Sequence, residues 1–316
     1  MKKGTKLLLA SGAAALGAHG ALKAESEVLF RKAFIADRTL GDRDVIDFLP
    51  TEELKDRYIE EADEQIEWFR SSRIEELEMR SFDGLFLNAV YVGNHGKEAP
   101  VIILIHGYNA DRYCLLKQAY EFDKLGYNLL MPDERGYGKS EGKYVTFGQK
   151  ESIDILQWID LLIKRDPEVK IGLYGVSMGA ETLMCAAGCK LPENVRFLIE
   201  EAGYSDACEV ITNLLRKRHL PASLLMPYLE RKVKDVLGFS LKEVSAVEAL
   251  KQNEVPICFI HSETDDVVPP EHARYLYTAN KGRKYFYPLE DAPHAYGCYS
   301  EGYFATLQEF IERSCN

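Results

Sequence analysis

The sequence predicts an α/β protein in which a mostly parallel central sheet is flanked by helices. Short apolar runs, such as VIILI at 101–105, indicate strands that are buried on both faces, as the strands of a parallel sheet are. Segments with apolar residues at helical spacing alternate with these runs, for example between 147 and 164. This alternation favours right-handed crossovers and places functional sites at the carboxyl ends of the strands.

The elements follow one another in a regular order. The segment 74–93 predicts a hairpin with its turn at Asp83-Gly84. Further strands are expected at 101–105, 127–133, 169–174, 195–201, 255–260 and 284–288. Residues 205–250 interrupt this rhythm with a long helical stretch. It is too short for a robust core of its own, so we interpret it as a helical insertion into the domain.

Composition narrows the classes of function. The chain of 316 residues carries a formal net charge of −11 and no long basic run, which argues against nucleic acid as a partner. The seven cysteines are odd in number and scattered, so they predict neither a disulfide framework nor a metal site. No metal or organic cofactor is predicted.

The first 24 residues are typical of a signal peptide or an N-terminal membrane anchor. Lys2, Lys3 and Lys6 precede a run of sixteen residues without a formal charge. The run is short for a full membrane span of about 20 residues. It predicts an exported or membrane-tethered protein. The cysteines are typical of a reducing compartment, so a cytoplasmic location is the alternative.

Residues 25–72 are predicted to form a helical extension in front of the main domain, which spans 73–316. The extension is charged and has the pattern of a helix after residue 51. Four apolar residues are expected to dock this helix on the domain that follows: Ile59, Ile66, Trp68 and Phe69.

A strand, a tight turn and a helix are predicted around GVSMG at 175–179, with Ser177 at the apex of the turn. A serine in such a turn has strained backbone angles, and the turn closes only if its neighbours are small. Gly175 and Gly179 meet that requirement. Chance supplies such a pattern about 0.1 times in a chain of this length. The pattern alone is thus a weak signal, and its position between a predicted strand and a predicted helix is what makes Ser177 a candidate nucleophile.

Catalysis by a serine needs a base, a group that orients the base, and donors for an oxyanion. His294 follows the last predicted strand and is the candidate base, while Asp265 follows the strand before it and is the candidate acid. A structural interpretation is also open, because a loop histidine can be incidental and a turn carboxylate, Asp265 or Asp266, can cap a helix. The backbone N–H groups of Met178 and Tyr108 are the candidate oxyanion donors.

The order Ser177, Asp265, His294 and the motifs around it resemble the α/β-hydrolase superfamily. They resemble more closely the bacterial serine hydrolases near its prolyl-oligopeptidase-like and monoacylglycerol-lipase-like branches. The resemblance covers roughly residues 70–316 and rests on these elements: the Asp83-Gly84 hairpin, His106-Gly107, DERGYGKSEG at 133–142, Gly148, Glu151, Asp154, GVSMG, DDVVP and His294. It implies an α/β-hydrolase fold with a helical lid at 205–250 and with Asp265 as the acid.

The sequence departs from the pattern of this superfamily at two positions. Ser262 stands where a glycine is common, and Glu201 stands where many relatives carry an aspartate. The resemblance also implies that an acid can act from the position of Glu201, which is therefore the alternative acid. Asp133 and Arg135 are interpreted as a salt bridge that holds their loop together.

These features predict a serine hydrolase that cleaves an ester through a Ser-His-Asp triad and an acyl-enzyme, with a peptide or amide bond as the second choice. The expected substrate is a small acyl ester or a short peptide, and the oligomeric state is not predicted. An acyltransferase that uses the same serine and a non-catalytic binding protein are the alternatives, because a fold alone does not fix function. The apolar residues of the lid either line an acyl pocket or pack the lid on the domain: Leu214, Leu215, Leu220, Leu224, Leu225, Met226 and Leu229.

Overall fold

The computed structural model describes residues 3–37 and 51–315, and helices cover both faces of its sheet. The strands are β1 (Ile74–Arg80), β2 (Phe86–Val92), β3 (Val101–Ile105), β4 (Asn128–Pro132), β5 (Ile171–Val176), β6 (Val195–Glu201), β7 (Ile257–Ser262) and β8 (Lys284–Leu289). The helices are α1 (Lys3–Phe34), α2 (Glu52–Ser71), α3 (Leu116–Lys124), α4 (Glu151–Arg165), α5 (Met178–Ala187), α6 (Ala207–Lys217), α7 (Ala222–Leu237), α8 (Ala246–Leu250), α9 (Glu271–Ala279) and α10 (Tyr303–Cys315).

The strands lie in the order β1-β2-β4-β3-β5-β6-β7-β8. β1 and β2 form the predicted hairpin, and β2 pairs antiparallel with β4. All the following neighbours in the sheet are parallel. The carboxyl ends of β3 to β8 consequently lie along one edge of the sheet. The predicted fold class, a mostly parallel sheet flanked by helices, is confirmed.

Apolar side chains from the helices cover both faces of the sheet. On one face α4, α5, α8 and α9 pack on the strands, and Trp158 of α4 is fully buried there. On the other face α3 and α10 pack through Phe122 and Phe310. β3 and β4 are buried along their whole length, which explains the apolar runs at 101–105 and 129–132.

The stretch from 205 to 250 folds into α6, α7 and α8. α8 packs on α5, while α6 and α7 form a separate apolar cluster with the end of α1. We call α6 and α7 the lid helices after the lid predicted for this stretch, and their role as a lid stays a prediction. Three of the candidate pocket residues are buried in this cluster: Leu215, Leu225 and Leu229. Leu214 and Leu224 are 37% and 55% exposed, so these two do not line a buried pocket.

Helix α2 docks on the face of the sheet that α3 also covers. Trp68 packs there and donates its indole N–H to the carboxylate of Asp123 at 2.9 Å. Tyr58 contributes to the same apolar cluster. Ile59 and Ile66 are 50% and 36% exposed, so the expectation that these two residues dock the helix is wrong. The helix is rotated so that Tyr58 takes their place.

Helix α1 runs from Lys3 to Phe34 and so continues past the predicted boundary at residue 24. Its last turns contact α7 and place Phe30 and Phe34 in the apolar cluster of the lid helices. In the described ranges, no helix is both long and apolar enough to cross a membrane. The division of the chain at residues 24 and 72 stays a prediction.

Candidate active site

Ser177 occupies the tight turn between β5 and α5. Its backbone angles are φ 55° and ψ −114°, which is a strained conformation for a residue with a side chain. A Cβ on Gly175 would lie 2.4 Å from the carbonyl oxygen of Gly179, and a Cβ on Gly179 would lie 2.2 Å from that of Ile105. Only glycine fits at these two positions, and the close packing fixes the direction of the serine side chain.

The structure brings His294 and Asp265 to Ser177. His294 Nε2 lies 2.9 Å from Ser177 Oγ, and His294 Nδ1 lies 2.7 Å from Asp265 Oδ2. The three residues follow β5, β7 and β8, which end at the same edge of the sheet. The result is an unbroken hydrogen-bonded chain, although 117 positions separate Ser177 from His294.

Asp265 is held by the turn in which it lies. Its Oδ1 accepts hydrogen bonds from the backbone N–H groups two and three residues further on, both at 2.9 Å. Burial, the largest single influence, opposes the ionisation of Asp265. The hydrogen bond with His294, the charge of His294 and the hydrogen bond from the N–H of Val268 together outweigh burial, so the pKa of this carboxyl lies below its ordinary value. The neighbouring Asp266 has a side chain that is 86% exposed and lies outside the hydrogen-bonded chain.

The loop after β3 approaches the turn that carries Ser177. A Cβ placed on Gly107 would lie 3.5 Å from Ser177 Cβ, so the backbone of this loop lies against the serine. Tyr108, one of the two candidate donors, is the next residue. Met178, the other, begins α5, and the first N–H groups of a helix have no acceptor within that helix. The structure thus brings the segments with both candidate N–H groups next to Ser177.

The loop DERGYGKSEG at 133–142 is held by ion pairs with other segments. The expected salt bridge between Asp133 and Arg135 is wrong, because Asp133 pairs with Arg112. Arg135 donates to both oxygens of Asp154, at 2.7 Å each, and also to Asp83 at 2.9 Å. Arg135 therefore ties the turn of the first hairpin to α4, which is a structural role.

Glu201, the alternative acid, lies at the end of β6 and makes its hydrogen bonds away from His294. Its Oε1 accepts from the N–H of Gly297 at 2.8 Å, and its Oε2 accepts from the hydroxyls of Tyr174 (2.6 Å) and Tyr303. Gly297 follows His294 by three residues, so Glu201 holds the loop that carries the histidine. Sequence reasoning missed this role. The only signal for it was a pair of acidic residues at the end of a buried strand.

Cysteines and metal-ligating side chains do not converge in the described part of the chain. Cys258 and Cys298 are buried free thiols. Burial raises the pKa of Cys258 to about 12, which makes this thiol unreactive at neutral pH. Within residues 3–37 and 51–315 no group of three or more His, Cys, Asp or Glu side chains is arranged to hold a metal ion.

Glu200, next to Glu201, is buried with one of its oxygens unpaired. Its Oε2 accepts from the N–H of Gly203 at 3.0 Å, and its Oε1 has no hydrogen-bond partner among the described residues. Burial raises the pKa of Glu200 to about 8; the hydrogen bond from Gly203 opposes this rise and the neighbouring Glu201 adds to it. Most of the folded protein at neutral pH therefore carries Glu200 in its neutral form.

Replacing Glu200 with glutamine is expected to stabilise the protein by an amount that grows with pH. The carboxyl ionises near pH 4.5 in the unfolded chain but only near pH 8 in the folded protein, so the wild type loses stability between these values. The loss is on the order of a few kcal/mol, at about 1.4 kcal/mol per pKa unit. Urea unfolding of both proteins between about pH 5 and pH 9 measures this difference in the free energy of unfolding. A difference that is the same at every pH would contradict the prediction.

Comparisons with known proteins agree with the fold. The hydrolase family model described as serine aminopeptidase, S33, matches residues 96–237. The uncharacterized protein YqkD of Bacillus subtilis is 33% identical over 215 residues, which cover 67% of this chain and 70% of that protein. The chain belongs to the α/β-hydrolase superfamily.

Other relatives of this α/β-hydrolase carry the names of enzymes. The thiohydrolase aneE of Aspergillus aculeatus is 31% identical over 163 residues, which cover 49% of this chain and 48% of that protein. The esterase Pf2001 of Pyrococcus furiosus has the same fold, with a TM-score of 0.64 at 23% identity over 78% of this chain and 93% of that chain. The family and these neighbours support a hydrolase activity.

Proposed function

We propose that this protein is a serine hydrolase that cleaves carboxylic esters through an acyl-enzyme formed on Ser177. The observation that carries the proposal is the hydrogen-bonded chain from Asp265 through His294 to the hydroxyl of Ser177. A serine hydroxyl is a weak nucleophile by itself, and such a chain activates it. Tyr108 and Met178 are the proposed donors of the oxyanion hole.

In the first half of the proposed reaction, Ser177 Oγ attacks the carbonyl carbon of the ester while His294 Nε2 takes the hydroxyl proton. The carbonyl oxygen becomes an oxyanion and accepts hydrogen bonds from the N–H groups of Met178 and Tyr108. Asp265 stays ionised and stabilises the imidazolium ion. When the tetrahedral intermediate collapses, the bond to the alcohol oxygen breaks and His294 donates the proton to that oxygen.

In the second half, water takes the place of the alcohol. Its oxygen attacks the acyl carbon while His294 Nε2 takes a proton from it. The second tetrahedral intermediate collapses by breaking the bond to Ser177 Oγ, which receives the proton back from His294. The products are the free acid and the original enzyme.

An ester is proposed ahead of an amide because an alkoxide leaves a tetrahedral intermediate more readily than an amide nitrogen does. The apolar cluster of α1, α6 and α7 beside Tyr108 also suits an acyl chain. The peptide bond is the second candidate because the matching family model is described as a serine aminopeptidase. The name of aneE adds a thioester as a further acyl substrate to test.

Initial rates on a panel of substrates test this proposal. The panel consists of p-nitrophenyl esters from acetate to laurate, an acyl thioester and aminoacyl anilides, each with and without an added alcohol. We expect kcat/KM to be higher for esters than for anilides and free acid to be the main product. Turnover of anilides alone would overturn the ester assignment, and transfer of most acyl groups to the alcohol would indicate an acyltransferase. Ligand-dependent thermal stabilisation without any turnover would indicate a binding protein.

For the location of the protein we propose export or membrane tethering through residues 1–24. The proposal rests on the three lysines followed by an uncharged run, and on one relative at 22% identity, YNL320W of Saccharomyces cerevisiae, that is named a membrane protein. Fractionation of cells that express the full chain or a chain without residues 2–24 tests it. Equal amounts of both chains in the cytosolic fraction would contradict it.

A further inference from the structure

The end of α1 is fixed to the domain next to the lid helices. Phe30 and Phe34 are 3% and 0% exposed within the apolar cluster that these helices form. Beyond the helix, the N–H of Ala36 donates to the carbonyl oxygen of Lys143 at 3.0 Å. The N–H of Val145 donates to the carbonyl oxygen of Phe34 at 2.9 Å. Backbone hydrogen bonds as well as packing therefore hold this part of the chain in place.

Three aromatic rings connect the end of α1 to the loop beside Ser177. The rings of Phe34 and Phe147 meet edge to face with their centroids 5.1 Å apart, and Phe147 stacks on Tyr108 at 5.6 Å. We call these three rings the aromatic roof. The Tyr108 hydroxyl donates to the carbonyl of Ala33 at 3.1 Å and so satisfies one of the last carbonyls of the helix. The helix end is thus bonded to the residue whose N–H is a proposed oxyanion donor.

The backbone at Phe147 is held in a conformation that large side chains rarely adopt, with φ 54°. The buried Glu151 holds this conformation in place. Its carboxyl group accepts from the N–H of Thr146 at 2.8 Å and from the N–H of Gly148 at 3.0 Å, one residue on either side. Glu151 therefore fixes the backbone on both sides of Phe147 and, with it, the direction in which the Phe147 side chain leaves the chain.

The cluster that contains the aromatic roof reaches both sides of the site. Val268 belongs to it and lies three residues after Asp265, while Tyr108 lies beside the turn of Ser177. We propose that the aromatic roof closes the acyl-binding site over Ser177 and that Phe34 limits the length of the acyl chain. This inference rests on the proposed function. It identifies the substrate class as esters of apolar acids, because an apolar wall raises kcat/KM by about fourfold for each methylene group that it buries.

The test measures chain-length preference in the full-length enzyme. The ratio of kcat/KM for p-nitrophenyl laurate to that for p-nitrophenyl butyrate is determined for wild type, Phe34→Ala, Phe34→Leu and Phe30→Ala. Removing the Phe34 ring opens space for several methylene groups, so Phe34→Ala should raise the ratio at least about tenfold. Phe34→Leu should raise it less. Phe30→Ala is the matched control, since this ring lies in the same cluster but contacts Tyr144 and Phe34 rather than Phe147.

The outcomes separate this inference from the proposed function. An unchanged ratio in Phe34→Ala, with turnover of butyrate retained, would overturn the inference while leaving the serine hydrolase intact. An equal change in Phe30→Ala would also overturn it, because general loosening of the cluster would then explain the shift. If Phe34→Ala does not fold, the same criterion applies to Phe34→Leu. A wild type that hydrolyses no ester and does not react with a fluorophosphonate would overturn both proposals.

Discussion

Replacing Ser177 with alanine is expected to lower kcat for ester hydrolysis by about 10⁴- to 10⁶-fold. Without the hydroxyl, His294 has no proton to remove and no acyl-enzyme can form. We expect kcat to fall without a loss of folding. Alanine adds no atoms to the tight turn, and it has to adopt the same strained φ of 55° as the serine. Turnover of p-nitrophenyl butyrate and labelling with a fluorophosphonate measure the effect. We expect labelling to be lost completely.

Ser205 supplies a matched control for Ser177. It is buried, and its Oγ lies 2.8 Å from His272 Nδ1, so it too forms a serine-histidine pair. Ser205→Ala should keep fluorophosphonate labelling and turnover close to those of wild type. Labelling that persists in Ser177→Ala and disappears in Ser205→Ala would move the nucleophile to Ser205 and overturn the proposed mechanism.

Most of the fold could be predicted because its strands are buried on both faces. Such strands appear in the sequence as apolar runs, and their alternation with helices fixes a parallel sheet. Residues that directly follow parallel strands must meet at one edge of the sheet. For this reason Ser177, His294 and an acid after β7 could be proposed as one site from their positions, whereas the choice of Asp265 as that acid came from the resemblance to the α/β-hydrolases.

The partners of long side chains could not be predicted in the same way. Arg135 has an acidic neighbour in its own loop, Asp133, and the sequence favoured that pair because it is local. In the structure the turn directs Asp133 towards Arg112, and Arg135 reaches Asp154 and Asp83 instead. Which carboxylate an arginine meets depends on where distant elements pack, and a local pattern carries no information about that.

The role of the end of α1 was hidden for a related reason. Its Ala- and Gly-rich beginning is typical of a leader, and nothing in the periodicity of the helix indicates what its apolar side chains would contact. Phe34 is buried because residues of α7 and the ring of Phe147, which are distant in the sequence, pack around it. The chemistry of the site thus depends on strand ends that the sequence reveals, whereas the proposed limit on the substrate depends on a contact between distant segments.

Replacing Asp265 with asparagine is expected to lower kcat by about 10³- to 10⁴-fold while KM stays close to its wild-type value. The side-chain oxygen of asparagine can still accept from the N–H groups of Val267 and Val268, which hold Oδ1 in the wild type. The amide nitrogen must then face His294 Nδ1 in place of Oδ2. Because an amide nitrogen only donates, His294 Nδ1 has to accept, and the imidazole proton moves to Nε2. That nitrogen can no longer take the proton of Ser177.

Kinetics of Asp265→Asn and Asp266→Asn, together with their melting temperatures, test this argument about the histidine tautomer. Asp266 is the matched control because it is the next residue, but its side chain is 86% exposed and outside the hydrogen-bonded chain, so Asp266→Asn should keep the wild-type kcat. A folded Asp265→Asn protein that retains more than about a tenth of the wild-type kcat would contradict the role of Asp265.

The contrast with Ser177→Ala is informative, because Asp265→Asn leaves the nucleophile in place. Slow labelling of Ser177 by a fluorophosphonate should therefore persist in Asp265→Asn, which would show that Asp265 acts through His294 and not on the substrate.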